Sequence, residues 1–159
     1  MDLNFTAWAD DVHDEDGHRA DSLYVEMFWL PVLGPSATLF VRRMNMYLAE
    51  NPDGFSIGAI ELGRELGLGH SQSRHAPLSR ALHRCIMFGI VRRNSPAHFA
   101  VRRLISRVAE QHVVLLPPML QRAHSLWPAG PLSPPAPARA CDPDLPANAP
   151  WPTADLTGG

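Results

Sequence analysis

The sequence predicts an α+β domain of short helices and one β-hairpin, and three observations predict it. Apolar side chains recur at three- and four-residue spacing over 37–50 and again over 77–88, the mark of helices with one buried face. Two strand-like runs, 90–93 and 98–104, flank the turn-forming Asn94-Ser95-Pro96-Ala97. At 159 residues the chain holds one core of about 100 residues with tails, and too little for two ordinary domains.

Taken in order, residues 1–22 are acidic and without a sustained period, which predicts a mobile arm on which only Phe5 and Trp8 could dock. Leu23 to Leu33 is large and apolar, suited to an extended segment or short helix laid on the core. After the break at Gly34-Pro35, Ser36 is an N-cap candidate. A helix over 37–50 follows, with Phe40, Val41, Met44, Tyr47 and Leu48 on one stripe and Arg42, Arg43 and Asn45 on the other face. Asn51-Pro52-Asp53-Gly54 is a turn, 55–57 a short edge strand and 58–68 a short helix stopped near Gly67 and Gly69.

After a polar stretch to Ala76, Pro77 opens a second long helix, since the amide that proline lacks would be unsatisfied there anyway. It turns Leu78, Ala81, Leu82, Cys85 and Ile86 inward and Ser79, Arg80, His83 and Arg84 outward, and Gly89 stops it. The hairpin comes next. Ser106 is expected to cap a helix containing Val108, and Pro117-Pro118 to start another through Leu126. From Pro128 onward nine of 32 residues are proline, which predicts a disordered or polyproline-like tail. The expected organisation is thus an acidic arm (1–22), a domain (23–127, core 35–113) and a proline-rich tail (128–159).

The formal charge of −2 conceals a segregation of signs. Residues 1–34 hold eight acids against Arg19, a net −7, whereas residues 35–113 hold eleven arginines against five acids, a net +6. All 14 basic residues are arginine, which points to a GC-rich genome. Ordinary solvated surface would intersperse the two signs, yet residues 66–109 contain eight arginines and no acid. A basic middle implies a polyanionic partner. As a hypothesis, residues 10–21 fold back over this arginine face and compete with that partner.

Helix, strand, helix, turn, helix, hairpin, helix is the order of a winged helix-turn-helix, with the hairpin as the wing of two or three strands. Such a unit lays the exposed face of its last helix in the major groove of double-stranded DNA. That face is Ser79, Arg80, His83 and Arg84, with Arg74 and His75 just ahead of it. Arg80 and Arg84 are the candidates for base contact, because a guanidinium can meet guanine O6 and N7 with two parallel donors. The wing adds Arg92-Arg93 and Arg102-Arg103 on either side of its turn. Side chains alternate across a strand, so one member of each pair faces the DNA and the register decides which. With Arg42, Arg43 and Arg74 nearby, roughly four to six phosphates could be neutralised.

The stretch Trp29-Leu30-Pro31-Val32-Leu33-Gly34-Pro35, the pattern Pro77-Leu78-Ser79-Arg80-Ala81-Leu82, the helix end Met87-Phe88-Gly89 and the wing segment Ala100-Val101-Arg102-Arg103 resemble the small winged-helix proteins common in actinobacterial genomes, many of unassigned function. The resemblance covers residues 24–126 and implies a nucleic-acid-binding fold rather than a regulon or a ligand; the role expected of the chain, on the residues as a whole, is that of a transcriptional regulator. One departure is Ala76, where a capping serine would be expected before Pro77.

Other classes find less support. His70, His75, His83 and Cys85 lack the tight ligand pairs of zinc sites, and His83 and Cys85 point about 200° apart on a helix. No metal or cofactor is expected. No phosphate loop or nucleophile motif is present, and the paired acids lie in the arm, so the chain reads as a non-enzyme. Cys85 and Cys141 form no disulfide framework, and no run approaches the roughly 20 apolar residues of a membrane span. A cytoplasmic protein is expected. The alternative is a protein-interaction winged helix using the Trp29 to Leu33 patch or the face of helix 77–88. A homodimer would use Leu23 to Leu33 or the helix 118–126.

Overall fold

The N-terminal residues, expected in a mobile arm, supply an inner strand of the main sheet. The computed structural model describes residues 1–9 and 17–128, and Asp2–Trp8 form β1. Leu3 and Phe5 turn inward while Asn4 and Thr6 turn outward, a period-2 pattern too short to stand out beside the acids that follow. β1 is flanked by β3 (Phe55–Gly58), which runs antiparallel to it, and by β5 (His98–Arg102), which runs parallel. With β4 (Val91–Ser95) the sheet is mixed and four-stranded, in the order β3-β1-β5-β4. The expected wing of two or three strands is therefore part of a larger sheet. β2 (His18–Arg19) pairs with β6 (Leu104–Ile105) in a second, two-stranded sheet.

Leu23 to Leu33 is helical rather than extended: a π-helical turn over Val25–Trp29 runs into α1 (Leu30–Leu33). Tyr24, Phe28, Trp29 and Leu33 are all buried, and Trp29 Nε1 donates to the Ser106 carbonyl at 2.8 Å. Trp29 and Leu33 are thus core, whereas Leu30 and Val32 are half-buried and Pro31 is exposed, so only part of the Trp29–Leu33 patch is open to a partner. α2 spans Pro35–Glu50, beginning one residue before the serine expected to cap it. Pro35 takes the first helical position, where no amide is needed, and Gly34 turns the chain into it with φ 82°.

α3 (Ala59–Glu65) and α4 (Pro77–Met87) follow, then α5 (Glu110–Val113) and α6 (Pro118–Leu126). The helix expected from Ser106 starts only at Glu110, because 106–109 is extended chain in which Val108 N donates to Tyr24 Oη at 2.8 Å. The proline-rich tail lies outside the described residues except for Pro128, as do residues 10–16 of the expected arm. Of the remaining acids of that arm, Asp21 is held locally by Arg19 at 2.9 Å.

The core lies between the sheet and α2. Phe5 packs against Phe40 of α2, Phe55 of β3 and Phe99 of β5 with ring centroids 5.9, 5.4 and 5.7 Å away. α4 docks on α2 through Leu78, Ala81 and Cys85, whose thiol donates to the Ala37 carbonyl at 3.7 Å. Burial pushes that thiol up to about 12, so Cys85 behaves as a small apolar core residue. Gly54 is required by its turn: its φ is 104°, and a Cβ there would lie 2.7 Å from the Phe5 carbonyl oxygen.

α6 is tied down by a buried aromatic cluster. His18 stacks on Tyr24 at 3.8 Å, and Tyr24 Oη lies 3.0 Å from His124 Nε2. Tyr24 Oη also accepts from Val108 N, so one phenol oxygen ties α6 to the segment before α5. Burial lowers the His124 pKa from its ordinary 6.5, the nearby Arg107 lowers it further and Glu110 opposes them. A histidine depressed in the folded state stabilises it fully above pH 6.5, and that contribution is lost as pH falls below that value. Thermal melts are expected to show stability falling on acidification from neutrality, and the His124→Gln variant to show a shallower fall. Identical slopes for the two proteins would contradict this account.

Candidate nucleic-acid interface

α4 places its outward residues along a cleft of about 910 Å³ that reaches from Leu33–Ala37, past the Ser71–His75 loop, to Arg93, Pro96 and Phe99 of the hairpin. Seven of the ten residues expected to contact DNA line it: Arg74, His75, Ser79, Arg80, His83, Arg84 and Arg93. No carboxylate does so among the described residues. Four guanidinium groups and two imidazoles therefore share one concave surface with nothing of opposite sign, and such a surface focuses positive potential on whatever enters.

Local hydrogen bonds build the entrance to α4. Ala76 does stand at the N-cap position and offers no side-chain cap. In its place the loop closes on itself: Ala76 N donates to the Ser73 carbonyl at 2.9 Å, and Ser79 Oγ to the same carbonyl at 3.0 Å. Ser79 is thereby committed to holding the loop that carries Arg74 and His75. The side chains of Arg74, His75, Arg80 and His83 are exposed and hydrogen-bond to nothing among the described residues. Arg84 differs from them. Its Nη2 and Nε donate to the Val32 carbonyl at 2.7 and 3.3 Å, so the guanidinium is spent on the end of α1.

The hairpin register divides the wing arginines. Arg93 stands opposite Phe99, on the core side of the sheet, and its Cζ lies 5.9 Å from the Phe99 ring centroid at the edge of the cleft. Arg92 stands opposite Ala100, on the far side, where Arg102 is registered beside Trp8. Arg92 and Arg102 thus turn away from the cleft, contrary to the expectation that both pairs would lend it a cation. Arg103 does not reach it either: its Nη1 donates to the Leu48 carbonyl at 3.1 Å and closes the C-terminal end of α2. Arg43, counted as a phosphate contact, is paired with Glu65 at 3.4 Å, and Tyr47 donates to the same carboxylate.

Among the described residues, no group of three His, Cys, Asp or Glu side chains could hold a metal ion, and no helix is long and apolar enough to cross a membrane. Sequence reasoning singled out Trp8 as a docking residue but missed where it docks, at the end of β1 beside Arg92 and Arg102 on the far side of the sheet. Its only signal was an isolated tryptophan at the end of a short alternating run. Comparison with protein-family models, curated proteins and solved structures gives no match.

Proposed function

We propose that this protein binds double-stranded DNA, with α3 and α4 as the two helices of a helix-turn-helix and β4–β5 as its wing, and that it acts as a transcriptional regulator. The observation that carries this reading is the acid-free cleft along α4 with Arg74, Arg80, Arg84 and Arg93 around it. Arg80 and His83, exposed on α4 and without hydrogen-bonding partners among the described residues, reach base edges, while Arg74 and Arg93 hold phosphates on either side. In this reading β1 is an insertion between the strand before α3 and the hairpin, and leaves the order of the other elements intact. The likeness to small actinobacterial winged-helix proteins belongs to the same proposal.

Fluorescence anisotropy with a mixed duplex pool across a salt series tests it. The three cleft arginines other than Arg84, namely Arg74, Arg80 and Arg93, predict a slope of log affinity against log salt of about −3. Absence of duplex binding at low salt, or binding without salt dependence, overturns the reading. A second reading, a protein-interaction module or homodimer, draws on one specific observation: Val114, Leu115, Met119 and Leu126 are all at least 64% exposed on and beside α6. Single exposed apolar residues are common, but these four fall on one short stretch of chain.

A further inference from the structure

Three aliphatic side chains of α4, Leu78, Leu82 and Ile86, follow one another at four-residue spacing and so share one flank of the helix. All three line the cleft, together with Leu3 of β1 and Phe99 of β5. Leu82 and Ile86 are half-buried, packed on the core on one side and open to the cleft on the other. A duplex meets such a surface chiefly through its phosphates, which use the cations and leave this aliphatic floor unfilled. Two cations of the same cleft have donors to spare. Arg74 is exposed and hydrogen-bonds to nothing among the described residues. Arg93 spends Nε and Nη2 on the Ser95 and Pro96 carbonyls at 3.3 and 3.1 Å, and its Nη1 has no acceptor among the described residues.

We propose that the cleft binds a small organic acid with an apolar body, its carboxylate on Arg93 and its body along Leu78, Leu82 and Ile86, and that this ligand displaces duplex. The volume of about 910 Å³ lies within the roughly 300–1,000 Å³ of clefts that take one small molecule. An aliphatic floor with a few polar groups at its margin is also the usual lining of such clefts. Because no carboxylate lines it among the described residues, the cleft favours an anion. With one free nitrogen, Arg93 matches a singly charged head group and gives it a charge-assisted hydrogen bond. The body gains by leaving water, a gain the duplex cannot make there. Ligand and duplex both call on Arg93, so each excludes the other. That regulatory consequence rests on the duplex reading, whereas the ligand site does not.

Calorimetric titration of the full chain with octanoate, octanol and acetate tests the site without DNA. Octanoate is expected to bind, and octanol, which lacks the charge, and acetate, which lacks the body, to bind about tenfold more weakly or less. Arg93→Ala is expected to bring octanoate down to the level of octanol, and Leu82→Ser to weaken octanoate about tenfold. Arg93 is exposed, so its substitution keeps the fold and decides the matter even should Leu82→Ser loosen α4. Arg122→Ala, exposed on α6 and outside the cleft, is expected to leave octanoate binding unchanged. Octanoate that does not bind, that binds no better than octanol, or that binds Arg93→Ala as tightly as the unaltered protein overturns the proposal. Labelled duplex is then challenged with octanoate at constant ionic strength: its release supports displacement, and duplex that stays bound at saturating octanoate overturns it. A chain that takes octanoate but no duplex overturns the duplex reading, and displacement with it, while the ligand site stands.

Discussion

Phe5→Ala lowers the melting temperature by about 15–30 °C, enough to leave much of the chain unfolded near physiological temperature. The side chain is fully buried and touches an aromatic ring on each of two neighbouring strands and on α2. Its truncation opens a cavity where the sheet meets α2, at about 3–5 kcal/mol, against a total stability of about 5–15 kcal/mol for such a domain. Thr6→Ala is the control one position along, because it removes only the hydrogen bond to His98 and costs about 1 kcal/mol. Urea unfolding followed by circular dichroism measures both, and equal midpoints for the two variants would show that β1 is not integral to the core. The same geometry rules out deletion of residues 1–21 as a test of whether the acidic segment competes with DNA, since the deletion removes β1 as well. Neutralising Asp10, Asp11, Asp14, Glu15 and Asp16 with the chain intact is the appropriate experiment.

Joint replacement of Arg74, Arg80 and Arg93 by alanine is the substitution expected to damage duplex binding most. Each removed guanidinium forfeits a charge-assisted hydrogen bond, about tenfold in affinity, and one released counterion. The salt slope is therefore expected to shrink by about 3 while the fold is preserved, all three side chains being exposed. Arg103→Ala supplies the contrast. It leaves the slope unchanged and instead loosens the end of α2, where its guanidinium meets the Leu48 carbonyl. A salt slope that responds to Arg103 as strongly as to the cleft arginines would mean that affinity follows net charge rather than this surface.

The two long helices, the hairpin and the division of charge were legible in the sequence because each is a local property. Helical spacing marks the buried stripes of α2 and α4, the Asn94 to Ala97 turn marks β4 and β5, and counting signs along the chain finds the acid-free stretch. β1 was not legible. Its partners lie about 50 and 95 residues away, and two inward side chains carry too weak a period to stand out from acidic neighbours.

The same distinction governs the site. The sequence determined that arginines would crowd α4 and the hairpin, and seven of the ten named residues do line one cleft. Only the tertiary structure decided that Arg84 is anchored to Val32, that Arg103 closes α2, and that Arg92 and Arg102 join Trp8 on the reverse side. Neighbours on a strand face opposite ways, so a pair of arginines written side by side is split by the pairing register. That register is set by packing between distant segments, and no local pattern encodes it.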